Sequence, residues 1–300
     1  MKILISGGSG FIGRNLLNYL NKNNMNIMLI GRNLDFLGKN NYKKKFLDLN
    51  DFNYDFREIK NFNPDIFLHL AWEGIPNYSE EFSKKNYLNT IRLTKMLVSQ
   101  TSCYKIISTG SCWEYNDGNI EGRCNEDLLL NPKKPFSIYK HKIFKEIDEI
   151  TKKKKITFNW LRLFYVYGPG QKKESIIPML INNIKYKENI SINFPDNIND
   201  YIYIDDAVRI IFIFLSSNIK SGIYNLGTGK GTKVKDLIKI IDHEINGNTS
   251  FSYKYLTNLN KNLRNQNFYA CTEKLKKNIN NFEFMNINTG IKKLIKSIYV

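Results

Sequence analysis

Short apolar runs alternate along this chain with longer stretches of helical periodicity. Ile3 to Ile5 is the first such run, and Leu16, Leu17 and Leu20 follow at the spacing of one helix face, in a helix that begins near Phe11. Asn26 to Ile30 reads as a second strand, Lys44 to Leu47 as a third and Asp65 to Leu70 as a fourth. A long helix is expected over 80–99, then a fifth strand over Lys105 to Ser108. Pro135 suits a helix entry, so a helix is expected over 136–151, followed by a sixth strand over Thr157 to Leu163. The basic stretch 39–45 reads as a loop, and Lys152 to Lys155 as a helix end, where cations suit the dipole. This alternation predicts an α/β fold, a doubly wound parallel sheet with helices on both faces. After Gly168-Pro169-Gly170 the texture changes to helical and irregular pieces, interrupted by Asn225-Leu226-Gly227-Thr228-Gly229. The expected division is a first domain over 1–165, to which 200–226 returns. A smaller C-terminal lobe over 166–199 and 227–300 would close over the C-terminal edge of the sheet.

The turn between the first strand and the first helix carries Gly7, Gly10 and Gly13 in a GxxGxxG pattern. Gly7 lets the chain turn tightly, Gly10 lets a pyrophosphate approach the main chain, and Gly13 lets helix and strand pack closely. The helix N-terminus then offers free N–H groups and a positive dipole end to phosphates. A dinucleotide is the ligand this pattern implies.

Composition narrows the choice. The chain has 300 residues, enough for one large or two modest domains. No apolar run approaches the ~18 residues of a membrane span, and Met1 leads directly into the first strand, leaving no room for a signal peptide. Cys103, Cys112, Cys124 and Cys271 follow neither metal spacing nor a disulfide framework, so a reducing cytoplasm is the simplest setting and no metal is expected. The formal charge of +17 raises the question of nucleic acid. Its lysines are scattered along the whole chain beside abundant asparagine, which argues for an anionic small substrate instead.

Several motifs, in order, resemble the extended short-chain dehydrogenase/reductase family of NAD(P)-dependent sugar-nucleotide epimerases, dehydratases and reductases. They are the Gly7–Gly13 loop, Asp48-Leu49, His69-Leu70-Ala71, Asn86, Ser108-Thr109-Gly110-Ser111, Leu161-Arg162, Val166-Tyr167-Gly168-Pro169-Gly170, Asp200-Tyr201 with Asp205-Asp206, and Asn225 to Gly229. The resemblance implies a Rossmann domain in which the loop Gly7, Gly10, Phe11, Ile12, Gly13 holds the coenzyme pyrophosphate. It also implies that Asp48 and Leu49 lie beside the adenine and that Leu70 and Ala71 lie along the coenzyme. An acid at the end of strand two would grip the ribose of NAD. Arg32 stands there instead, which favours the 2′-phosphate of NADP, with NAD the alternative. Dimers are common in the family, so a homodimer is an open option.

The family's catalytic group is a hydroxyl after strand five and a YxxxK pair on the next helix. Lying four residues before Tyr115, Ser111 takes the hydroxyl's place, and Lys140 takes the lysine's, anchoring the nicotinamide ribose. Matching Pro135-Phe136-Ser137-Ile138-Tyr139-Lys140 to the family pattern puts Phe136 where the tyrosine belongs. Tyr139, three residues on, is then the phenol nearest in sequence; the alternative is that the acid is lost and turnover is slow or absent. Pairing Tyr139 with Lys142 breaks the four-residue spacing. The two positions after the hydroxyl carry an Asp-Glu pair in 4,6-dehydratases but are Cys112 and Trp113 here, which argues against dehydration. Glu114-Tyr115 looks more like 4-ketoreductases of nucleotide-linked deoxysugars, although Glu114 also suits a structural role. Tyr165 and Asn199 replace an Asn and an Arg common in epimerases, and Arg264, with Asn267, falls near a late Arg-x-x-Asp pair that would meet a substrate diphosphate. The expectation is an NADP-preferring reductase of a nucleotide-activated sugar, with a 4-epimerase as runner-up. The rival from another class is a non-catalytic binding protein on the same scaffold.

Overall fold

The computed structural model describes residues 1–21, 25–35, 42–190, 192–252, 266–279 and 282–299. The chain divides into two compact units. The first comprises Met1–Asp117, Leu129–Arg162 and Val208–Tyr224, the second Gly118–Leu128, Leu163–Ala207 and Asn225–Val300.

The first unit is built on a seven-stranded sheet. Its strands are β1 (Lys2–Ser6), β2 (Asn26–Gly31), β3 (Lys43–Phe46), β4 (Ile66–His69), β5 (Lys105–Ser111), β7 (Thr157–Leu163) and β10 (Gly222–Leu226), in the order β10-β7-β5-β4-β1-β2-β3. Pairings β2·β3, β1·β2, β1·β4 and β4·β5 are all parallel. Ile3–Ser6 of β1 and all of β4 are buried, and both are mainly apolar, as a sheet covered on both faces requires. Strand order reverses between β1 and β4, and ligands of open α/β sheets bind in the crevice that such a reversal creates. Helix α1 (Phe11–Leu20) turns Leu16, Leu17 and Leu20 inward, and the short α2 (Arg57–Phe62) buries Ile59 and Phe62. Helix α3 (Glu80–Gln100) starts at Ser79, whose side chain accepts from Phe82 N, with Glu80 and Glu81 in its first turn. Helix α4 (Pro135–Lys154) has proline at its start and Lys152, Lys153 and Lys154 in its last turn. Leu4, Phe67, Ile91, Ile106, Ile143 and Trp160 belong to one continuous core.

Three boundaries differ from the sequence reading. The third strand, expected over Lys44 to Leu47, runs over Lys43–Phe46 at the sheet edge and so takes in the end of the basic stretch 39–45 read as a loop; residues 39–41 lie outside the described residues. Charged side chains suit an edge, because they discourage pairing with another chain. Segment 118–128 leaves the first unit because β6 (Glu121–Cys124) pairs with β12 (Asn267–Ala270) of the second. Only 208–224, not 200–226, belongs to the first unit.

The second unit is organised by a sheet where irregular pieces were the expectation. Its path is β11 (Gly231–Lys233), β9 (Ile198–Tyr203), β12 and β6, with β8 (Tyr165–Tyr167) also paired to β9. Its strands are short and several are polar, so period-two alternation is too weak to announce them. Buried Asp200 on β9 ties the loop after Leu226 in place: it accepts from Thr228 N, Thr228 Oγ1, Gly229 N and Ala270 N. No helix among the described residues is long and apolar enough to cross a membrane.

Candidate active site

The turn after β1 packs main chain against main chain. A Cβ on Gly7 would stand 2.5 Å from Ala71 N, and Gly7 holds φ +78°, so glycine is required there on both counts. A Cβ on Gly13 would stand 2.3 Å from Gly7 O and 2.7 Å from Gly8 Cα. Gly10 is the N-cap of α1, with no side-chain cap and no acid in the first turn. The N–H groups of that turn therefore face no competing side chain, which leaves them for an anion. The cradle fits a dinucleotide pyrophosphate. Gly13→Ala is expected to destabilise the chain by about 1–3 kcal/mol through overpacking and to abolish dinucleotide binding; thermal melting and calorimetry with nicotinamide dinucleotides check both effects.

An open cleft of about 780 Å³ spreads from this turn over the switch point of the sheet. Gly7, Gly10, Arg32, Asp48, Leu49, Leu70 and Ala71, all anticipated from sequence, line it together. Phe11, Ile12 and Gly13 form the first turn of α1 beside it. Asp48 accepts from Asn50 N at 3.0 Å, which shapes the turn after β3. Between Ser6 Oγ (2.7 Å) and Thr90 Oγ1 (2.9 Å), His69 is held at both ring nitrogens. Burial, reinforced by the Lys140 charge, pushes its imidazole down to about 3, so it is neutral.

Arg32 is not a bare cation. Its guanidinium pairs with Glu73 Oε1 at 3.0 Å, while Asn50 donates to Glu73 Oε2 at 3.1 Å and Lys85 lies 3.6 Å away. The Glu73 main chain is clamped in turn by the Asn86 side chain. Sequence reasoning missed Glu73 and Trp72, which follow the Leu70-Ala71 motif directly and also line the cleft.

Lys140 comes off α4 into the protein, 6% exposed. Its Nζ donates to Thr109 O at 2.8 Å and sits 4.0 Å above the Trp72 ring. Burial pushes the ammonium down to about 7, with Glu114 opposing the shift. On the turn after β5, Ser111 Oγ accepts from Trp113 N, and Ser111 N donates to Glu114. Glu114 is fully buried and also accepts from Trp160 Nε1 and Arg162 Nε. It is a structural carboxylate.

Tyr139 does not join this group. Its ring packs against Tyr87 of α3 with centroids 5.7 Å apart and lies under Lys142 Nζ. Phe136, one turn before Lys140, faces the aromatic rings of Trp72 and Tyr78 instead. Residues three apart on a helix share a broad face, but the neighbours here separate them. Asn199 is buried on β9, donating to Tyr201 OH, and Tyr165 packs on Tyr201. Arg264 lies outside the described residues.

Residues 3–227 match the model of the NAD dependent epimerase/dehydratase family. Over 97% of its length the chain is 28% identical to an ADP-L-glycero-D-manno-heptose-6-epimerase of Brachyspira hyodysenteriae, covering 96% of that protein. It is 27% identical to a dTDP-4-dehydro-6-deoxyglucose reductase of Escherichia coli, over 81% of this chain and 82% of that one. Among solved structures, the UDP-glucuronic acid 4-epimerase of Bacillus cereus, in complex with UDP-glucuronic acid and NAD, superposes with a TM-score of 0.84. The two are 23% identical, over 100% of this chain and 99% of that one, a likeness of fold.

Proposed function

Because the chain belongs to the NAD dependent epimerase/dehydratase family, we propose that it is a nicotinamide-dependent reductase of a nucleotide-activated 4-keto-deoxysugar. The turn Ser111 to Tyr115 carries this reading. Elimination of water across a sugar needs a free acid and base, and this turn offers Cys112, Trp113 and a Glu114 already committed to Ser111, Trp160 and Arg162. Beside that turn stand a hydroxyl, Ser111, and a lysine, Lys140, whose Nζ lies on the ring of Trp72 in the cleft lining, the equipment for ketone and alcohol interconversion. The bound coenzyme supplies the hydride. Ser111 Oγ hydrogen-bonds the reacting oxygen, and Lys140, fixed by Thr109 O, anchors the ribose hydroxyls. The rings of Trp72, Phe136, Tyr78 and Trp113 make an apolar wall suited to a sugar carbon that has lost its hydroxyl.

We assign NADPH as the preferred coenzyme. The Arg32–Glu73 pair is half-exposed, and exposed pairs are worth no more than about 1 kcal/mol. A 2′-phosphate carries more charge than Glu73 and presents a planar guanidinium with better acceptors. Arg32→Ala is expected to weaken NADPH binding about tenfold to a hundredfold and leave NADH binding within twofold, as measured by calorimetry.

Epimerisation is the second reading, favoured by the heptose epimerase relative, which matches 97% of the chain against 81% for the reductase. Incubating the protein with NADPH and a panel of 4-keto-6-deoxysugar nucleotides separates the two. Stoichiometric coenzyme oxidation supports reduction; interconversion of sugars with no net oxidation supports epimerisation. Binding of NADPH without either reaction would leave a non-catalytic protein.

A further inference from the structure

Reducing a ketone requires a proton as well as a hydride, and the acids around Lys140 can be taken in turn. Ser111 is an ordinary alcohol whose oxygen already accepts from Trp113 N. Glu114 is buried at 0% exposure and held by three donors. Tyr115 is equally buried, its ring against the Arg162 guanidinium. Tyr139 lies against Tyr87. Phe136 has no proton to give.

Tyr78 is a further phenol of this group, in the loop between β4 and α3. Its ring meets Phe136 edge to face with centroids 5.0 Å apart, and it stacks on Trp113 at 6.3 Å with an interplanar angle of 14°. Phe136 in turn meets Trp72 at 5.2 Å, and Trp72 carries Lys140 Nζ on its face. One unbroken aromatic series therefore runs from Lys140 to Tyr78, and Phe136 lies in its middle. We propose that Tyr78 is the proton donor of the reduction, standing in across the Phe136 ring for the phenol that α4 lacks. This rests on the reductase reading above.

The balance is complete. The carbonyl carbon gains the hydride supplied by the reduced nicotinamide coenzyme, and the C=O π pair moves onto oxygen. That oxygen takes the phenolic proton of Tyr78, and the phenolate recovers a proton from water. Water has access, because Tyr78 is 47% exposed. Among the described residues, Cys112 adds to burial in raising the phenol, while Lys134 lies over the neighbouring Trp113 ring and Lys140 over Trp72. A raised phenol stays protonated at neutral pH, which is the state a donor needs. The sequence shows no trace of this role, since Tyr78 and Phe136 are 58 positions apart and belong to no common motif.

The test compares the full chain with Tyr78→Phe and with Tyr78→Phe/Phe136→Tyr. Tyr78→Phe is expected to lower kcat about 10²-fold or more with NADPH affinity by calorimetry within twofold of the parent. It should also erase the alkaline limb of the kcat–pH profile. The double variant returns a phenol to the aromatic series and is expected to recover at least a tenth of the parental kcat, whereas no recovery would point to a structural role for Tyr78 and overturn the proposal. Parental turnover that survives in Tyr78→Phe, or is lost instead in Tyr139→Phe, overturns the proposal and leaves the reductase reading standing. Absence of ketone reduction by the parent itself removes both.

Discussion

Lys140→Met is expected to lower turnover about 10²–10³-fold and, at the same time, to make the protein more stable near neutral pH. The two effects share one cause. Lys140 is buried, and its bonding among the described residues is the Thr109 carbonyl at 2.8 Å and the faces of Trp72 and Trp160. A carbonyl and two rings do not replace the water an ammonium gives up, so burial drives its pKa from 10.5 to about 7. In the unfolded chain the lysine keeps its ordinary value. Between about pH 7 and 10.5 the unfolded state therefore binds more protons than the folded one, and stability contributed by this group rises with pH through that window. Below it the full cost of holding a buried ammonium is present. Methionine has similar length and no charge, so it removes the cost. Urea titrations of parent and variant at pH 7 and pH 9 isolate the effect. The variant's advantage at pH 7 should shrink by about 2 kcal/mol at pH 9, since each unit of differential protonation is worth about 1.4 kcal/mol. A variant less stable than the parent at pH 7 would mean that the lysine is held by more than the structure shows. Loss of turnover with gain of stability is the signature of a group kept for chemistry rather than for folding.

Glu114→Ala is expected to cost about 3–5 kcal/mol, the range for breaking a buried ion pair from one side. Glu114 and Arg162 are 0% and 1% exposed, and Arg162 Nε lies 3.3 Å from the carboxylate. Removing the carboxylate leaves the buried guanidinium without its counter-charge, with Nη1 lacking a hydrogen-bond partner among the described residues, and also orphans Trp160 Nε1 and Ser111 N. The double variant Glu114→Gln/Arg162→Met should recover much of the loss, because it removes the stranded charge as well. Chemical denaturation of the three proteins measures this. Recovery of folding in the double variant without recovery of kcat would place Glu114 as a positioning residue for Ser111. An alanine variant within 1 kcal/mol of the parent would contradict the assignment of Glu114 as a structural carboxylate.

The sheet was legible where apolar runs were long and buried. Thr157–Leu163 has the bounds that its residue pattern implies. β5 shows where periodicity stops short: the apolar run ends at Ile107, yet the strand continues through Ser108, Thr109, Gly110 and Ser111. Ser108, Thr109 and Gly110 are buried and Ser111 is half-buried, and Trp160 and Glu114 leave no room for a Cβ at Gly110. No local pattern encodes that. The strands of the second unit were hidden for a related reason, since Gly231–Lys233 pairs along its length with β9 and Asn267–Ala270 with β6, partners far away in sequence.

The cleft at the glycine turn was readable because glycine spacing is a direct record of backbone proximity. The same record failed for charge: Arg32 was visible, but its partner Glu73 comes from a different strand end 41 positions away. The exchange of Tyr139 for Tyr78 has the same origin. Helix spacing made Tyr139 the near neighbour of Lys140, whereas packing of α3 against α4 turns its ring toward Tyr87, and the loop after β4 brings Tyr78 onto Phe136.

Transfer of label from coenzyme to sugar tests the account most directly. The full chain is mixed with NADPH carrying deuterium on the transferring position and with a nucleotide-linked 4-keto-6-deoxysugar, and the sugar is recovered for mass spectrometry. The account predicts a product alcohol that carries the deuterium, formed in step with oxidised coenzyme. Recovery of the sugar without deuterium, beside unconsumed NADPH, would contradict it.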